Sequence, residues 1–70
     1  MAAEQCQITV NGQSRTVRAE TLEAALAELG FGDAKVATAL NGAFVAASQR
    51  SAVKLTNGDR LEVVAPRAGG

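Results

Sequence analysis

The 70-residue chain has no histidine and only one cysteine, Cys6. Without histidine it has no Ser–His or Cys–His nucleophile pair, and it lacks the commonest zinc ligand. Ser14, Ser48 and Ser51 therefore have no histidine to activate them. One cysteine also excludes an internal disulfide and a thiolate cluster for a metal. The sequence predicts a protein that is not itself an enzyme, with no catalytic side chain and no metal site.

Aromatic residues, surplus charge and long apolar runs are also scarce. The chain has two Phe and no other aromatic residue, and its seven Lys and Arg balance seven Asp and Glu. This composition offers no basic surface and no stacking platform for nucleic acid. No segment is long and apolar enough for a membrane helix, and residues 1–5 lack the features of a secretion signal. We expect a cytoplasmic protein that binds neither nucleic acid nor membrane.

The N-terminal part of the chain has the pattern of a β-hairpin. Cys6–Val10 alternates apolar and polar residues, which is the period of a half-buried strand. Asn11-Gly12 is a strong signal for a two-residue turn, and Ser14–Arg18 then forms the returning strand. This alternation makes Cys6 a small buried hydrophobic residue, and a persulfide on its thiol is the alternative.

A helix follows, predicted over Glu20–Gly30. Leu22, Leu26 and Leu29 recur at helical spacing and form one apolar stripe, with Ala25 beside them. Glu20 or Thr21 supplies a polar start, and Gly30 stands where a left-handed C-terminal cap belongs.

The second half of the chain alternates between apolar runs and turn residues. Predicted strands are Val36–Leu40, Ala43–Val45 and Arg60–Ala65, with tight turns at Asn41-Gly42 and Thr56–Asp59. The segment Ala46–Ser51 is predicted to be a loop or a single turn. The segment Val53–Leu55 alternates apolar and polar residues, but over only three positions, which is short for a strand.

Together these elements predict an α+β domain, with a mixed sheet of four to five strands and one main helix packed on one face. Residues 1–66 form this single domain, and residues 67–70 follow Pro66 as a flexible tail. The second sheet face stays partly open. Phe44, Val64 and Arg60 are candidates for a partner surface on that face, although Phe44 suits the core equally well.

The sequence ends in Gly69-Gly70, which we interpret as a functional tail. Two residues without Cβ make a segment thin enough for a narrow tunnel in another protein, with one carboxylate at its tip. We therefore expect Gly70 to be the reacting residue and Gly69 to meet the steric demand beside it. Ala68 and Arg67 complete the predicted recognition segment, although Arg67 also suits an ordinary solvated charge.

Three segments resemble one family of known proteins. Val36–Gly42 is similar to a strand and turn of the bacterial thiamine-biosynthesis sulfur carriers, the ThiS family. Asn57–Val64 is similar to that family's last turn and strand, and Gly69-Gly70 falls at the expected place. The resemblance implies the ubiquitin-like β-grasp fold. Ala46-Ala47 stands where many members have Pro-Arg, so we do not place a partner contact there.

The resemblance also implies a chemistry and its partners. An E1-like adenylyltransferase (ThiF-like) would use ATP and Mg²⁺ to adenylate the Gly70 carboxylate. A sulfur donor, such as the persulfide of a cysteine desulfurase, would convert it to a thiocarboxylate. A thiazole synthase (ThiG-like) would then take the sulfur to build the thiazole of thiamine. The chain itself would bind no cofactor.

Three other interpretations fit parts of this pattern. The small subunit of molybdopterin synthase shares the fold, the tail and the thiocarboxylate, but tends to have aromatic residues before the tail, and residues 63–67 have none. A ubiquitin-like modifier would instead form an isopeptide bond through Gly70. A β-grasp binding module would not need its Gly-Gly at all.

Overall fold

The structure is a computed structural model that describes residues 5–65. The elements are β1 (Cys6–Val10), β2 (Gln13–Val17), α1 (Leu22–Glu28), β3 (Ala37–Leu40), β4 (Ala43–Val45), a 3₁₀ helix (Ala47–Ala52) and β5 (Arg60–Val64). The strands form one five-stranded sheet in the order β2-β1-β5-β3-β4. Neighbouring strands are antiparallel except β1 and β5, which are parallel. The predicted α+β, β-grasp fold is confirmed.

Two tight turns join neighbouring strands. In the first, Asn11 and Gly12 have φ angles of 51° and 85°, and in the second, Asn41 and Gly42 have 53° and 87°. Positive φ at both central residues is the requirement of a type I′ turn, whose twist matches that of the flanking strands. Each turn therefore fixes the register of its hairpin, as the Asn-Gly pairs predict.

The helix α1 is shorter than the predicted Glu20–Gly30. The Thr21 hydroxyl accepts a hydrogen bond from the Ala24 N–H at 3.2 Å and caps the N-terminus. Glu20 lies outside the helix because its carbonyl accepts from the Leu55 N–H at 2.9 Å. At the other end, Gly30 has φ 98° and follows the last helical turn instead of belonging to it. The predicted helix is confirmed, as are the polar start at Thr21 and the left-handed Gly30 after it, although the helix itself spans only Leu22–Glu28.

One face of the sheet packs against α1. The helix contributes Leu22, Ala25 and Leu26 to the core, while Leu29 lies at its edge and is only partly buried. The sheet contributes buried aliphatic side chains from four strands: Ile8, Val10, Val17, Val45, Leu61 and Val63. The core residues of β5 are Leu61 and Val63, the two predicted for its inner face.

Three predicted strands have shifted ends in the structure. The strand predicted at Ser14–Arg18 is Gln13–Val17, because the Arg18 N–H donates to the Glu28 carboxylate at 3.0 Å. The strand predicted from Val36 begins at Ala37, and the Val36 carbonyl accepts from the Arg50 guanidinium at 2.6 Å. The last strand ends at Val64 instead of Ala65.

The segment between β4 and β5 differs most from the prediction. Ala47–Ala52 is a 3₁₀ helix of six residues, longer than the single turn expected over Ala46–Ser51. The short alternation at Val53–Leu55 forms no strand and makes one isolated bridge, between Lys54 and Thr21. Among residues 5–65, no helix has the length and apolar character to cross a lipid bilayer.

Candidate functional site

The strand β5 leads the chain toward its C-terminal residues from the middle of the sheet. It pairs with β1 on one side and with β3 on the other. Leu61 and Val63 are 0% and 6% exposed, so the strand is held by its side chains as well as by its ladders. The sequence-predicted tail residues (Arg67, Ala68, Gly69 and Gly70) lie outside the described residues.

The sheet face that points away from α1 carries an apolar patch. Phe44 and Val64 are 73% and 63% exposed, which is high for large apolar side chains. The register places Phe44 beside Ala39 and Val64 beside Ala37. Since Thr38 between the two alanines points into the core, both alanines belong to the open face. We call Ala37, Ala39, Phe44 and Val64 the open-face patch.

The structure decides the position of Phe44, for which the sequence left two alternatives. Val45 is the β4 residue that enters the core, at 8% exposure, and alternation along the strand turns Phe44 outward. The placement of Phe44 and Val64 on the open face is confirmed, and the alternative of Phe44 in the core is wrong. Their role in binding a partner stays a prediction.

Two charged residues border the patch on β5. Glu62 pairs with Ala39, and Arg60 lies two residues earlier on the same face, both with exposed side chains. The Arg60 backbone N–H donates to the Asn41 side-chain oxygen at 2.9 Å, which fixes the start of the strand. A charged pair beside an apolar surface is the composition of a docking site with a polar rim.

Cys6 is half-buried at the start of β1 and packs against the edge of the core. Burial raises the pKa of its thiol above the ordinary value of 9.0, and the negative charge of Asp59 raises it further. The thiolate is the nucleophilic form of cysteine, so a raised pKa disfavours persulfide chemistry near neutral pH. This environment supports the interpretation of Cys6 as a packing residue.

Asp59 is a buried carboxylate that the sequence analysis did not single out. It is 9% exposed and accepts hydrogen bonds from the Asn41 side chain at 3.0 Å and from the backbone and hydroxyl of Thr56 at 2.8 and 3.1 Å. Burial acts to raise the pKa of Asp59, but these three bonds favour the charged form and the net effect lowers it. Asp59 thereby ties the turn before β5 to the turn between β3 and β4.

The asparagines of the Asn-Gly pairs also connect distant segments. The Asn11 side chain both donates to the Val63 carbonyl and accepts from the Val63 N–H, at 3.0 and 2.9 Å. The Asn57 side chain accepts from the Gln7 N–H at 2.8 Å. The sequence pattern predicts only the turn geometry of these residues. The sequence feature that could have indicated these side-chain contacts is the recurrence of Asn before Gly.

No catalytic constellation is visible among the described residues. A shallow, open groove beside β1 brings Cys6 near Arg18, Lys54 and Asn57. Within residues 5–65, no three Cys, Asp or Glu side chains come together in a way that could hold a metal ion. The features of the molecule that suit a binding role are therefore the open-face patch and the strand that leads to the Gly-Gly end.

Comparison with known proteins identifies the family. The family model described as "ThiS family" matches residues 8–70, which is nearly the whole chain and includes Gly69-Gly70. The chain belongs to the ThiS family. This match confirms the family that the sequence resemblance predicts.

A solved structure and a curated relative agree with this assignment. The crystal structure of the thiamine biosynthesis protein ThiS from Geobacter metallireducens matches with a TM-score of 0.77 and 31% identity, over 91% of this chain and 99% of that one. A thiazole synthase from Paramagnetospirillum magneticum is 40% identical over 65 residues. That match covers 91% of this chain, and the chain spans about a fifth of the length of this relative.

Proposed function

We propose that this ThiS-family protein carries sulfur as a thiocarboxylate on Gly70 and donates it for thiazole formation in thiamine biosynthesis. The observation that carries the proposal is the family match over residues 8–70, which includes the Gly-Gly end. The absence of histidine supports it as well, because the carrier needs no catalytic side chain of its own.

The chemistry starts from an unreactive group. A carboxylate is a poor electrophile, so the Gly70 carboxylate first attacks the α-phosphorus of ATP and releases pyrophosphate, with Mg²⁺ in the activating enzyme. The resulting acyl-adenylate has AMP as a good leaving group. Sulfide displaces AMP to give the thiocarboxylate directly. A donor persulfide gives an acyl disulfide, which a thiol cleaves to the same product.

Three partners follow from this sequence of steps. An E1-like adenylyltransferase activates Gly70, a donor such as a cysteine desulfurase supplies the sulfur, and a thiazole synthase receives it. The support for the last partner is the relative named thiazole synthase, which contains a segment similar to this chain. We place the carrier and these partners in the cytoplasm, as the composition leads us to expect.

The open-face patch is the proposed docking surface for these partners, with Arg60 at its border. Val64 lies in the patch and stands six positions before Gly70. A fully extended chain spans about 3.3 Å per residue, so an active site that holds Gly70 lies within about 20 Å of Val64. A partner that binds the end of the chain is therefore close enough to contact the patch.

The test is the intact mass of the chain after incubation with ATP, Mg²⁺, an E1-like adenylyltransferase and a sulfide donor. We expect a mass gain equal to the replacement of one oxygen by sulfur, and no gain after Gly70 is deleted. Gly70→Ala should fold normally but lose most of the activation, because the added methyl group obstructs a narrow channel. Circular dichroism before the reaction provides the control for folding.

Other outcomes would point to other functions. Unchanged mass in the presence of an adenylyltransferase active on another carrier would contradict the proposal. Higher-mass conjugates that require Gly70 would indicate a protein modifier. Sulfur transfer to a molybdopterin precursor, with none to a thiazole synthase, would indicate the small subunit of molybdopterin synthase. A function that survives removal of Gly69 and Gly70 would indicate a binding module.

A further inference from the structure

The side chain of Asn11 takes the place of a strand residue beside β5. The parallel ladder between β1 and β5 includes the bond from the Thr9 N–H to the Asp59 carbonyl, at 3.0 Å, and from the Asn11 N–H to the Leu61 carbonyl, at 2.9 Å. The next residue of β5 that faces β1 is Val63. At this point the backbone has already turned away toward β2.

The Asn11 carboxamide continues the ladder in place of the backbone. Its oxygen accepts from the Val63 N–H at 2.9 Å and its nitrogen donates to the Val63 carbonyl at 3.0 Å. An amide group presents one donor and one acceptor in a plane, as a peptide group does. Val63 is 6% exposed, so without Asn11 its N–H and carbonyl would lack a protein partner in a mostly buried position.

These bonds hold β5 on both sides close to its end. On the side of β3, Ala37 pairs with Val64, and on the side of β1, Asn11 holds Val63. Val64 is the last residue of the strand. The two contacts therefore fix the position from which the chain continues toward Gly70.

We propose that Asn11 is a positioning residue for the reaction at Gly70, an inference that rests on the proposed function. A partner that holds the open-face patch and also receives Gly70 requires a defined separation between the two. If the end of β5 is released, the partner has to order these residues on binding, at a cost in backbone entropy. Loss of the Asn11 carboxamide then weakens productive binding and leaves the chemical step unchanged.

Asn41 provides a matched control. It occupies the same position of a type I′ Asn-Gly turn, with φ 53° against 51° for Asn11. Its side chain also binds near β5, but at the start of the strand, through Asp59 and Arg60. Asn11→Gly and Asn41→Gly both keep a residue that accepts positive φ and remove the carboxamide. The extra backbone freedom of glycine is the same in both variants, so it cancels in their comparison.

The first measurement is amide hydrogen exchange in the chain alone. In Asn11→Gly we expect faster exchange at Val63 and Val64, with protection retained at Leu61. In Asn41→Gly the exchange at Val63 and Val64 should match wild type. Equal exchange at Val63 in wild type and Asn11→Gly would show that the carboxamide does not hold the end of β5, and would overturn the proposal.

The second measurement is the adenylation rate as a function of carrier concentration, at a temperature where every variant is folded. Two lost hydrogen bonds of ordinary strength correspond to about a tenfold rise in KM for Asn11→Gly, with kcat unchanged. Asn11→Asp can still accept from the Val63 N–H but cannot donate to the Val63 carbonyl. Its KM should therefore lie between those of wild type and Asn11→Gly. Asn41→Gly should keep the wild-type KM.

The outcomes separate this inference from the proposed function. If wild type is not adenylated by an enzyme proven active, both fail. If wild type is adenylated and Asn11→Gly has the same KM, only the positioning role fails. An equal rise in KM for Asn41→Gly would show that the rise reflects a general loss of stability, and would overturn the positioning role. A fall in kcat alone for Asn11→Gly would also contradict it.

Discussion

At the scale of single residues, asparagine has two separate functions in this fold. Its backbone adopts the left-handed conformation that a two-residue hairpin requires, at Asn11 and Asn41. Its side chain then binds a segment that is remote in sequence, as Asn11 binds Val63 across 52 positions. A glycine in the same place would satisfy the turn but would leave the second contact unmade.

Asp59 gives a residue-scale prediction about pH. Its folded pKa lies below the ordinary 3.8 because three hydrogen bonds outweigh the effect of burial. A carboxylate with a depressed folded pKa stabilises the fold above the unfolded pKa, and this contribution is lost as the pH falls through the folded value. At neutral pH, Asp59→Asn should lower the free energy of unfolding by about 1–2 kcal/mol, since it loses an acceptor for buried donors.

Urea denaturation at a series of pH values checks this expectation. The difference between wild type and Asp59→Asn should be constant near neutral pH and should shrink as the pH falls below 3.8. Thr56→Ser keeps a hydroxyl donor for Asp59 and serves as the control, with the pH profile of wild type. A difference that is independent of pH would show that the charge of Asp59 is not the source of its contribution.

At the scale of elements, α1 depends on its two ends. It has seven residues, and a helix this short is not stable by itself in water. Thr21 caps the first turn, and the last turn closes with the Gly30 N–H on the Ala27 carbonyl and the Phe31 N–H on the Leu26 carbonyl, at 3.2 and 2.7 Å. This is the Schellman motif, which needs a left-handed residue after the helix.

Gly30→Ala should therefore destabilise the domain. A Cβ at Gly30 would have no atom within 4 Å, so the cost comes from φ 98° and not from a clash. We expect a loss of about 1 kcal/mol in the free energy of unfolding, measured by chemical denaturation.

Gly32→Ala is the matched control for this prediction. Gly32 lies two residues further along, does not have a left-handed φ, and a Cβ there would meet Ala27 at ordinary contact distances of 3.5 and 3.6 Å. We expect the free energy of unfolding of this variant to be unchanged or higher by about a few tenths of a kcal/mol, because alanine reduces the conformational freedom of the unfolded chain. Equal losses in both variants would contradict the role of the Gly30 conformation.

At the scale of the whole molecule, the two faces of the sheet differ in what covers them. One face packs on α1 and contains the core, while the other exposes Phe44 on the edge strand β4 and Val64 at the end of β5. Among the described residues, Phe44 and Val64 stay largely exposed on this second face. The apolar side chains are exposed on the same strands whose inner residues stabilise the fold, so they can be changed without loss of the core.

Phe44→Ser should thus weaken binding to the activating enzyme and leave the fold intact. An exposed aromatic anchor of an interface contributes about 1–3 kcal/mol, which corresponds to a loss of about fivefold to 150-fold in affinity. The free energy of unfolding should change by less than about 0.5 kcal/mol, because Phe44 is exposed. Isothermal titration calorimetry and chemical denaturation measure the two quantities.

Thr16→Ser is the control on the same face. Thr16 is exposed on β2, at the opposite side of the sheet from β4, and it pairs with Gln7. Its substitution should leave the affinity unchanged. Equal affinity for wild type and Phe44→Ser would exclude the open-face patch as the docking surface, whereas a loss in Thr16→Ser would place the interface over β2 instead.

Much of this fold is determined by local features of the sequence. Alternation at Cys6–Val10 and at Arg60–Val64, the leucine spacing of α1 and the Asn-Gly pairs each specify a backbone conformation within a few residues. Those local choices suffice for the order of elements, the two hairpins and the inner face of β5. The family resemblance and the Gly-Gly end likewise depend on contiguous residues.

The tertiary structure alone decided which distant groups meet. The sequence around Phe44 is compatible with a core position and with an exposed one. The register of β4 against β3 places Phe44 on the exposed face. Val53–Leu55 became a bridge to Thr21 because α1 and the sheet bring those segments together. The burial of Asp59 and the contact of Asn11 with Val63 arise in the same way. A side-chain hydrogen bond depends on where its partner lies in space. The spacing of apolar and polar residues along the chain predicts local elements, and it carries no information about contacts between distant segments.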